Sequence, residues 1–168
     1  MAERPVHVAV SGGGEAGEET CLLAEQVGRE LARRGAVVLT GGLGGVMAAA
    51  SRGAKAEHGT TVAILPGDDR DDANPWVDVA LPTGMGEGRN VLLVRAADAV
   101  IAVAGGFGTL SEIALALRLG KPVIGLGTWG LVRDGEPVHA LVAAADPADA
   151  AGKAVALATE RRVRPTGS

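Results

Sequence analysis

Aromatic residues and cysteine are scarce in this chain and the basic residues form no cluster, and each of these features narrows the class of protein. Only Trp76, Phe107 and Trp129 are aromatic among 168 residues, so the core must consist of valine, leucine, isoleucine and alanine. The one cysteine, Cys21, cannot form an internal disulfide, which favours a reducing compartment. Lysine and arginine form no stripe and the pI is about 5.4, so the sequence argues against a dedicated nucleic-acid surface.

Long apolar runs are also missing. The most apolar region, residues 91–119, is interrupted by charged residues, whereas a membrane span needs about 20 largely uncharged ones. The segment Met1–Pro5 lacks the apolar stretch of a signal peptide, so we expect a cytoplasmic protein with no membrane partner. Disorder is unexpected because 47% of the residues are hydrophobic and the net charge is only −4.

Glycine and alanine are abundant instead, with 26 and 31 residues. Short apolar runs alternate with segments of helical period, which is typical of parallel βαβ units. The predicted strands are 6–10, 36–40, 60–65, 77–81, 99–104 and 123–126, with a possible last one near 138–143. The predicted helices are 18–34, 46–57, 88–97, 110–119 and 146–160, and residues 68–74 are predicted to be a loop.

The sequence therefore predicts one doubly wound, Rossmann-like α/β domain over residues 1–160, followed by a frayed tail over 161–168. Its sheet should be mainly parallel, with about six or seven strands flanked by helices, because the apolar runs are continuous rather than alternating. In such sheets, ligands bind outside the carboxyl ends of the strands.

Three glycine-rich segments follow predicted strands at this edge: residues 11–14, 41–45 and 105–108. Glycine lets backbone N–H groups approach an anion closely, and a helix N-terminus adds a partial positive charge. We predict a phosphate- or nucleotide-binding cleft there, against the alternative that the glycines only allow tight packing. The segments match neither the dinucleotide fingerprint, since Thr40-Gly41 lacks its acidic residue, nor a Walker motif, since no lysine follows.

Two charged residues are candidates for chemistry in this cleft. Glu112 follows Thr109 by three positions, which has the form of a helix capping box. The functional alternative places Glu112 in the first helical turn, where an acid stabilises an oxocarbenium-like centre or transfers a proton. Arg89, preceded by the glycine-rich segment 84–88, is its complement and would grip a phosphate; the alternative is a solvated surface arginine.

Together these segments resemble the Lonely Guy (LOG) family, also labelled lysine decarboxylase-like. Thr40-Gly-Gly-Leu-Gly-Gly-Val-Met47 is similar to its Gly-Gly-Gly-x-x-Gly-Leu-Met segment, and Gly105–Glu112 is similar to its Pro-Gly-Gly-x-Gly-Thr-x-x-Glu motif. Arg89 stands 23 positions before Glu112, as the arginine of the family does. The resemblance extends over residues 6–126.

The resemblance implies a Rossmann-like homodimer. Many LOG members hydrolyse the N-glycosidic bond of nucleoside 5′-monophosphates and release base and ribose 5-phosphate, and by this resemblance Arg89 and Glu112 would be the catalytic pair. The residues implied to hold the phosphate and the rest of the ligand are Ser11, Gly12, Gly13, Gly41, Gly42, Gly44, Gly45, Met47, Gly105, Gly106, Gly108 and Thr109.

Two positions depart from the hydrolases: Ala104 replaces their proline and Asn90 replaces their lysine. The stretch 82–94 is closer to a sister branch of Rossmann-fold nucleotide-binding proteins and molybdenum-cofactor carriers, which bind a pterin phosphate without turning it over. Our leading hypothesis is therefore binding of a nucleoside monophosphate or molybdopterin-type ligand, with no required cofactor. The alternatives are a phosphoribohydrolase and a regulatory module that senses a nucleotide.

The remaining features suggest less. We interpret the Asp68–Asp72 run as a solvated turn, not a metal site, and the three histidines have no ligand-like spacing. Trp129 would stack on a purine or pterin, close a loop over the core or form a subunit contact. The helix at 110–119 is apolar almost all round, so a homodimer contact through it is a further hypothesis.

Overall fold

The apolar runs of the sequence become the strands of one parallel sheet in the computed structural model, which describes residues 4–163. The strands of this sheet are β1 (His7–Ser11), β2 (Val37–Thr40), β3 (Thr61–Leu65), β4 (Val79–Pro82), β5 (Ala99–Val103), β6 (Val123–Leu126) and β9 (Val142–Ala143). A separate antiparallel hairpin pairs β7 (Leu131–Arg133) with β8 (Glu136–Val138). The helices are α1 (Glu18–Arg33), α2 (Gly45–Ala56), α3 (Arg89–Ala96), α4 (Phe107–Arg118) and α5 (Pro147–Val163).

The strand order of the sheet is β4-β3-β2-β1-β5-β6-β9, and every neighbouring pair is parallel. The chain winds outward from β1 in one direction and from β5 in the other, so the order reverses between these two central strands. Ligands of doubly wound sheets bind beyond the carboxyl ends of the strands at such a reversal. The predicted α/β architecture with a sheet of six or seven parallel strands is confirmed.

The two faces of the sheet carry separate cores because successive side chains of a strand point to opposite faces. Val8 and Val10 face a core built with α1, α2 and α5, whereas Ala9 faces a core built with α3 and α4. The helices α1 and α2 approach so closely that a Cβ on Gly28 or Gly53 would collide with the backbone of the other helix. Small residues thus allow thin helices to pack at short distance, in place of large aromatic side chains.

Several predicted boundaries were wrong. The fourth strand begins at Val79 rather than at residue 77, and α4 begins at Phe107 rather than at residue 110. The strand predicted near 138–143 is divided between β8 and β9. The hairpin was not predicted, because each of its strands has only three residues, Asp134-Gly135 forms the turn between them and Pro137 interrupts the second. Helix α5 continues to Val163, past the predicted start of the tail, while residues 164–168 lie outside the described residues.

None of the helices within residues 4–163 combines the length and the apolar character required to cross a membrane.

Candidate functional site

A cleft of about 360 Å³ opens at the carboxyl edge of the sheet, above the reversal between β1 and β5. Its walls are the loops after β1, β2 and β5, the start of α4, and the end of the segment that leads into α3. Most of the predicted site residues line this cleft: Ser11, Gly12, Gly13, Gly41, Met47, Arg89, Gly106, Gly108, Thr109 and Glu112. These residues are separated by up to 101 positions in the chain and meet because the seven strands of the main sheet are parallel and end at one edge.

The other four predicted glycines are not among the residues that line the cleft. Gly42 lies against the side chains of Ala63 and Leu65, and Gly105 lies against Thr109. Gly44 precedes the first residue of α2, and Gly45 begins the helix in close contact with the backbone of the β1 loop. These contacts show that the four glycines shape the loops, and their contact with a ligand stays a prediction.

Four lining side chains were not singled out from the sequence: Val10, Leu43, Pro66 and Glu87. Pro66 directly follows β3, so the rule that parallel strands end at one edge was sufficient to place it. Leu43 lies inside the glycine segment 41–45 and Glu87 lies inside the segment 84–88. No local pattern distinguishes these side chains from the glycines on either side of them.

The centre of the cleft holds an arginine and a glutamate that are almost fully buried. Arg89 is 8% exposed and Glu112 is 6% exposed, and Nη1 of Arg89 lies 3.7 Å from Oε1 of Glu112. Burial raises the pKa of Glu112 to about 7, although the positive charge of Arg89 opposes this shift. Burial likewise lowers the pKa of Arg89, against the opposing effect of Glu112. The interpretation of Arg89 as a solvated surface residue was wrong.

Neutral polar groups hold this pair from both sides. The hydroxyl of Ser11 donates a hydrogen bond to Oε2 of Glu112. Nη1 of Arg89 donates to Oδ1 of Asn90 at 2.5 Å, and Asn90 donates to the hydroxyl of Ser111 at 3.3 Å, which donates to the carbonyl of Gly108 at 2.7 Å. Asn90 therefore supplies a neutral acceptor for Arg89 at the position where the hydrolases have a lysine.

Arg89 retains a buried donor without an acceptor in the described part of the chain. Among the described residues, its Nε has no hydrogen-bond acceptor although the atom is buried. A buried guanidinium N–H without an acceptor is costly, and such groups in native structures are usually satisfied by a ligand, an ion or water. The cleft thus contains a donor and a positive charge available to an anion.

The start of α4 supplies further donors. Gly106 precedes the helix and no side chain caps it, so the capping-box interpretation of Thr109 and Glu112 was wrong. The first N–H groups of a helix have no partner within it and attract anions. Thr109 lies in the first turn, and Glu112 lies in the second turn rather than in the first as predicted.

The position before this glycine loop has an unusual backbone. Ala104 has a φ of +46°, in the left-handed region that non-glycine residues rarely adopt. Proline fixes φ near −65°, so the proline of the hydrolase motif does not fit the backbone observed here. The replacement of proline by alanine is therefore accompanied by a different path of the loop.

The acidic loop and the histidines form no metal centre within the described residues, where no group of three His, Cys, Asp or Glu side chains is suited to hold an ion. Residues Arg70–Asp72 form a short 3-10 turn, and the Asp69 carboxylate accepts a hydrogen bond from the N–H of Asp71. Cys21 is a half-buried free thiol packed at the edge of the first core.

A family model matches this geometry over nearly the whole chain. The model of the SLOG cluster4 family matches residues 5–155. The chain belongs to the SLOG cluster4 family. An uncharacterized protein of Archaeoglobus fulgidus is 48% identical over 121 residues, which are 72% of this chain and 80% of that protein. This family membership confirms the resemblance to the LOG-like superfamily.

Two solved structures similar to this SLOG chain belong to proteins whose names state a ligand. The molybdenum cofactor binding protein of the phototrophic bacterium Rippkaea orientalis is 38% identical, with a TM-score of 0.80 over 88% of this chain and 94% of that one. The Moco carrier protein of Chlamydomonas reinhardtii is 35% identical, with a TM-score of 0.81 over 94% of this chain and 99% of that one. The expected closeness to the carrier branch is thereby confirmed.

Proposed function

We propose that this SLOG chain binds a phosphate-bearing pterin of the molybdenum-cofactor type, with its phosphate in the cleft between the β1, β2 and β5 loops. The observation that supports this most is the buried Arg89, whose Nε has no hydrogen-bond acceptor among the described residues. The cleft volume of about 360 Å³ lies within the range typical of small-molecule sites. Relatives described as cofactor-binding and carrier proteins share the fold and more than a third of the sequence.

The ligand phosphate would lie at the start of α4, against the N–H groups that follow Gly106 and beside the hydroxyl of Thr109. The guanidinium of Arg89 would neutralise the phosphate charge. Glu112 opposes this arrangement less than an ordinary carboxylate would, because burial raises its pKa to about 7 and favours the neutral acid form. An uncharged carboxyl donates a hydrogen bond to the ligand instead of repelling it.

A phosphoribohydrolase activity is the second candidate, and the same pair favours it. A carboxyl with a pKa of about 7 suits proton transfer at neutral pH. Glycoside hydrolysis ordinarily uses two carboxyl groups, however, and the other acid that lines this cleft, Glu87, is exposed at its mouth. The bonds from Ser11 to Glu112 and from Arg89 to Asn90 also hold the pair in fixed contacts. Binding without turnover is therefore the better-supported function.

The test combines a melting measurement with a turnover assay. We expect a molybdopterin preparation at one hundred times its Kd to raise the melting temperature by roughly 5–10 °C, since such binding stabilises the fold by about 2.7 kcal/mol. Arg89→Ala should abolish this shift, and Gly17→Ala, which lies outside the cleft, should keep it. AMP, GMP, CMP and IMP should yield no free base on chromatography. Base released by the wild type and not by Glu112→Gln would instead establish the hydrolase.

We also propose that the chain forms a homodimer. The residues of α4 that face the sheet, Ile113 and Ala116, are buried within the chain, so the apolar character of this helix is largely explained by its own core. Large apolar side chains are exposed nearby on the same side of the sheet, on β4 and α3: Val79, Leu81, Val91 and Leu92. Sedimentation should give twice the mass of 16.8 kDa, and Leu92→Asp should shift the equilibrium towards monomer. A wild-type monomer at micromolar concentration would contradict this proposal.

A further inference from the structure

Two of the three aromatic side chains in this chain meet at one point of the surface. Phe107 and Trp129 have ring centroids 5.6 Å apart and ring planes at 36°. Phe107 is 81% exposed, which is the largest exposed fraction among the large hydrophobic residues described. Aromatic pairs at this separation are favourable, but a stable core would bury them. The pair therefore leaves apolar ring surface available to a ligand.

The pair is attached to the loop that borders the cleft. Nε1 of Trp129 donates a hydrogen bond to the carbonyl of Gly106 at 3.2 Å, and the hydroxyl of Thr128 donates to the carbonyl of Ala104 at 2.6 Å. Gly106 also lines the cleft, and Phe107 is the first residue of α4. The two rings consequently lie next to the N–H groups that would hold a phosphate, on the side towards β6.

The surface between the rings and the loop is open. Trp129 lines a depression of about 290 Å³ together with Ala104, Gly105, Gly127 and Thr128. A Cβ placed on Gly106, Gly127 or Gly130 would have no atom within 4 Å outside its chain neighbours, so there is open space at these three positions. Backbone without side chains permits close approach of a planar ring, which a row of larger side chains would block.

We propose that Phe107 and Trp129 form the subsite for the flat heteroaromatic ring of the ligand whose phosphate lies at the start of α4. This inference rests on the proposed function and adds to it where the ring lies. Stacking on an aromatic side chain suits any fused heterocycle, since all of them offer a π-face, and the hydrogen bond to Gly106 holds the Trp129 ring in place. The subsite accordingly selects ligands that join a phosphate to a planar ring over those with a phosphate alone.

The two tryptophans provide matched reporters for the test. Trp76 lies elsewhere, with its ring 5.4 Å from the guanidinium carbon of Arg52, so Trp76→Phe leaves Trp129 as the only tryptophan and Trp129→Phe leaves Trp76. A pterin monophosphate should quench the emission of the Trp76→Phe protein and leave that of Trp129→Phe unchanged. Ribose 5-phosphate, which has no ring, should bind to both proteins in calorimetry without quenching.

Phe107→Ala measures the effect of the subsite on affinity. It should weaken binding of the pterin monophosphate by about 5- to 100-fold, as loss of one stacking contact does, and leave binding of ribose 5-phosphate unchanged. Phe107 is exposed, so the variant should fold, and Phe107→Tyr should restore the affinity. Val132→Ala, which removes another exposed apolar side chain from the neighbouring hairpin, is the matched control and should change neither affinity.

The outcomes separate this inference from the proposed function. If neither ligand binds to the wild type, the proposed function fails and the inference fails with it. If both ligands bind and Phe107→Ala weakens neither, the phosphate site stands and the ring subsite is overturned. If Phe107→Ala changes only the sedimentation of the protein, the two rings are a contact between copies of the chain, which also overturns the subsite.

Discussion

Gly41→Ala is expected to weaken the binding of phosphate-bearing ligands by about 10- to 100-fold while the fold remains intact. A Cβ at this position would lie 2.7 Å from Cζ of Arg89 and 2.8 Å from Sδ of Met47. Both atoms belong to the ends of flexible side chains, and Gly41 does not have a positive φ, so the backbone tolerates the change. The guanidinium must then leave its place beside Glu112, and loss of a charge-assisted hydrogen bond costs about 1.5–3 kcal/mol.

A double-mutant cycle identifies this mechanism. If Gly41→Ala acts by displacing Arg89, it should have no further effect once Arg89→Ala is present, because the side chain that it displaces is gone. Calorimetry with a pterin monophosphate measures all four proteins, and Gly17→Ala, where a Cβ meets no atom within 4 Å, is the glycine control. Losses of affinity that add in the double variant would show that Gly41 contacts the ligand itself.

Gly41 also illustrates what the sequence revealed about the site and what it did not. The position of the glycine segments after β1, β2 and β5 predicted the edge at which the cleft lies, because the carboxyl ends of parallel strands meet there. The roles within those segments were not predictable from local patterns. Gly41 makes space for a side chain from α3, 48 positions away, and Gly42 makes space for β3.

The start of α4 is a second place where a local sequence pattern did not predict the contacts in the folded chain. The pattern Thr109-x-x-Glu112 has the form of a cap, yet the helix begins at Phe107, behind an uncapped glycine. A cap would satisfy the first N–H groups locally, whereas here they stay open to the cleft. The hydrogen bond that Glu112 accepts comes from Ser11, 101 positions away. Only the assembled sheet places these groups together, so a local rule could not reveal that pairing.

The second large effect concerns the pH dependence of stability. Glu112 has a pKa of about 7 in the folded chain, against an ordinary value of 4.5. The fold therefore favours the protonated carboxyl. The stabilisation from this proton is complete below pH 4.5, declines as the pH rises and is lost above pH 7. By linkage, the loss amounts to about 3 kcal/mol of the free energy of unfolding.

Glu112→Gln should remove this dependence, because the amide stays neutral at every pH and still accepts the hydrogen bond from Ser11. At pH 4 the variant and the wild type should have similar stability; at pH 8.5 the variant should melt roughly 6–12 °C higher. Surface carboxylates such as Glu25, whose pKa is lowered by its hydrogen bond to Arg52, add the opposite slope, so the difference between the two proteins is the measured quantity.

Glu87→Gln provides the matched control, since it removes the same charge at the exposed mouth of the cleft. It should shift the melting temperature little at either pH. Equal shifts for Glu112→Gln at pH 4 and pH 8.5 would contradict a buried carboxyl that is protonated in the fold. A shift of the melting temperature confined to high pH also bears on the proposed function. The proton on Glu112 that stabilises the fold below pH 7 is the proton that this carboxyl would donate to a phosphate in a hydrogen bond.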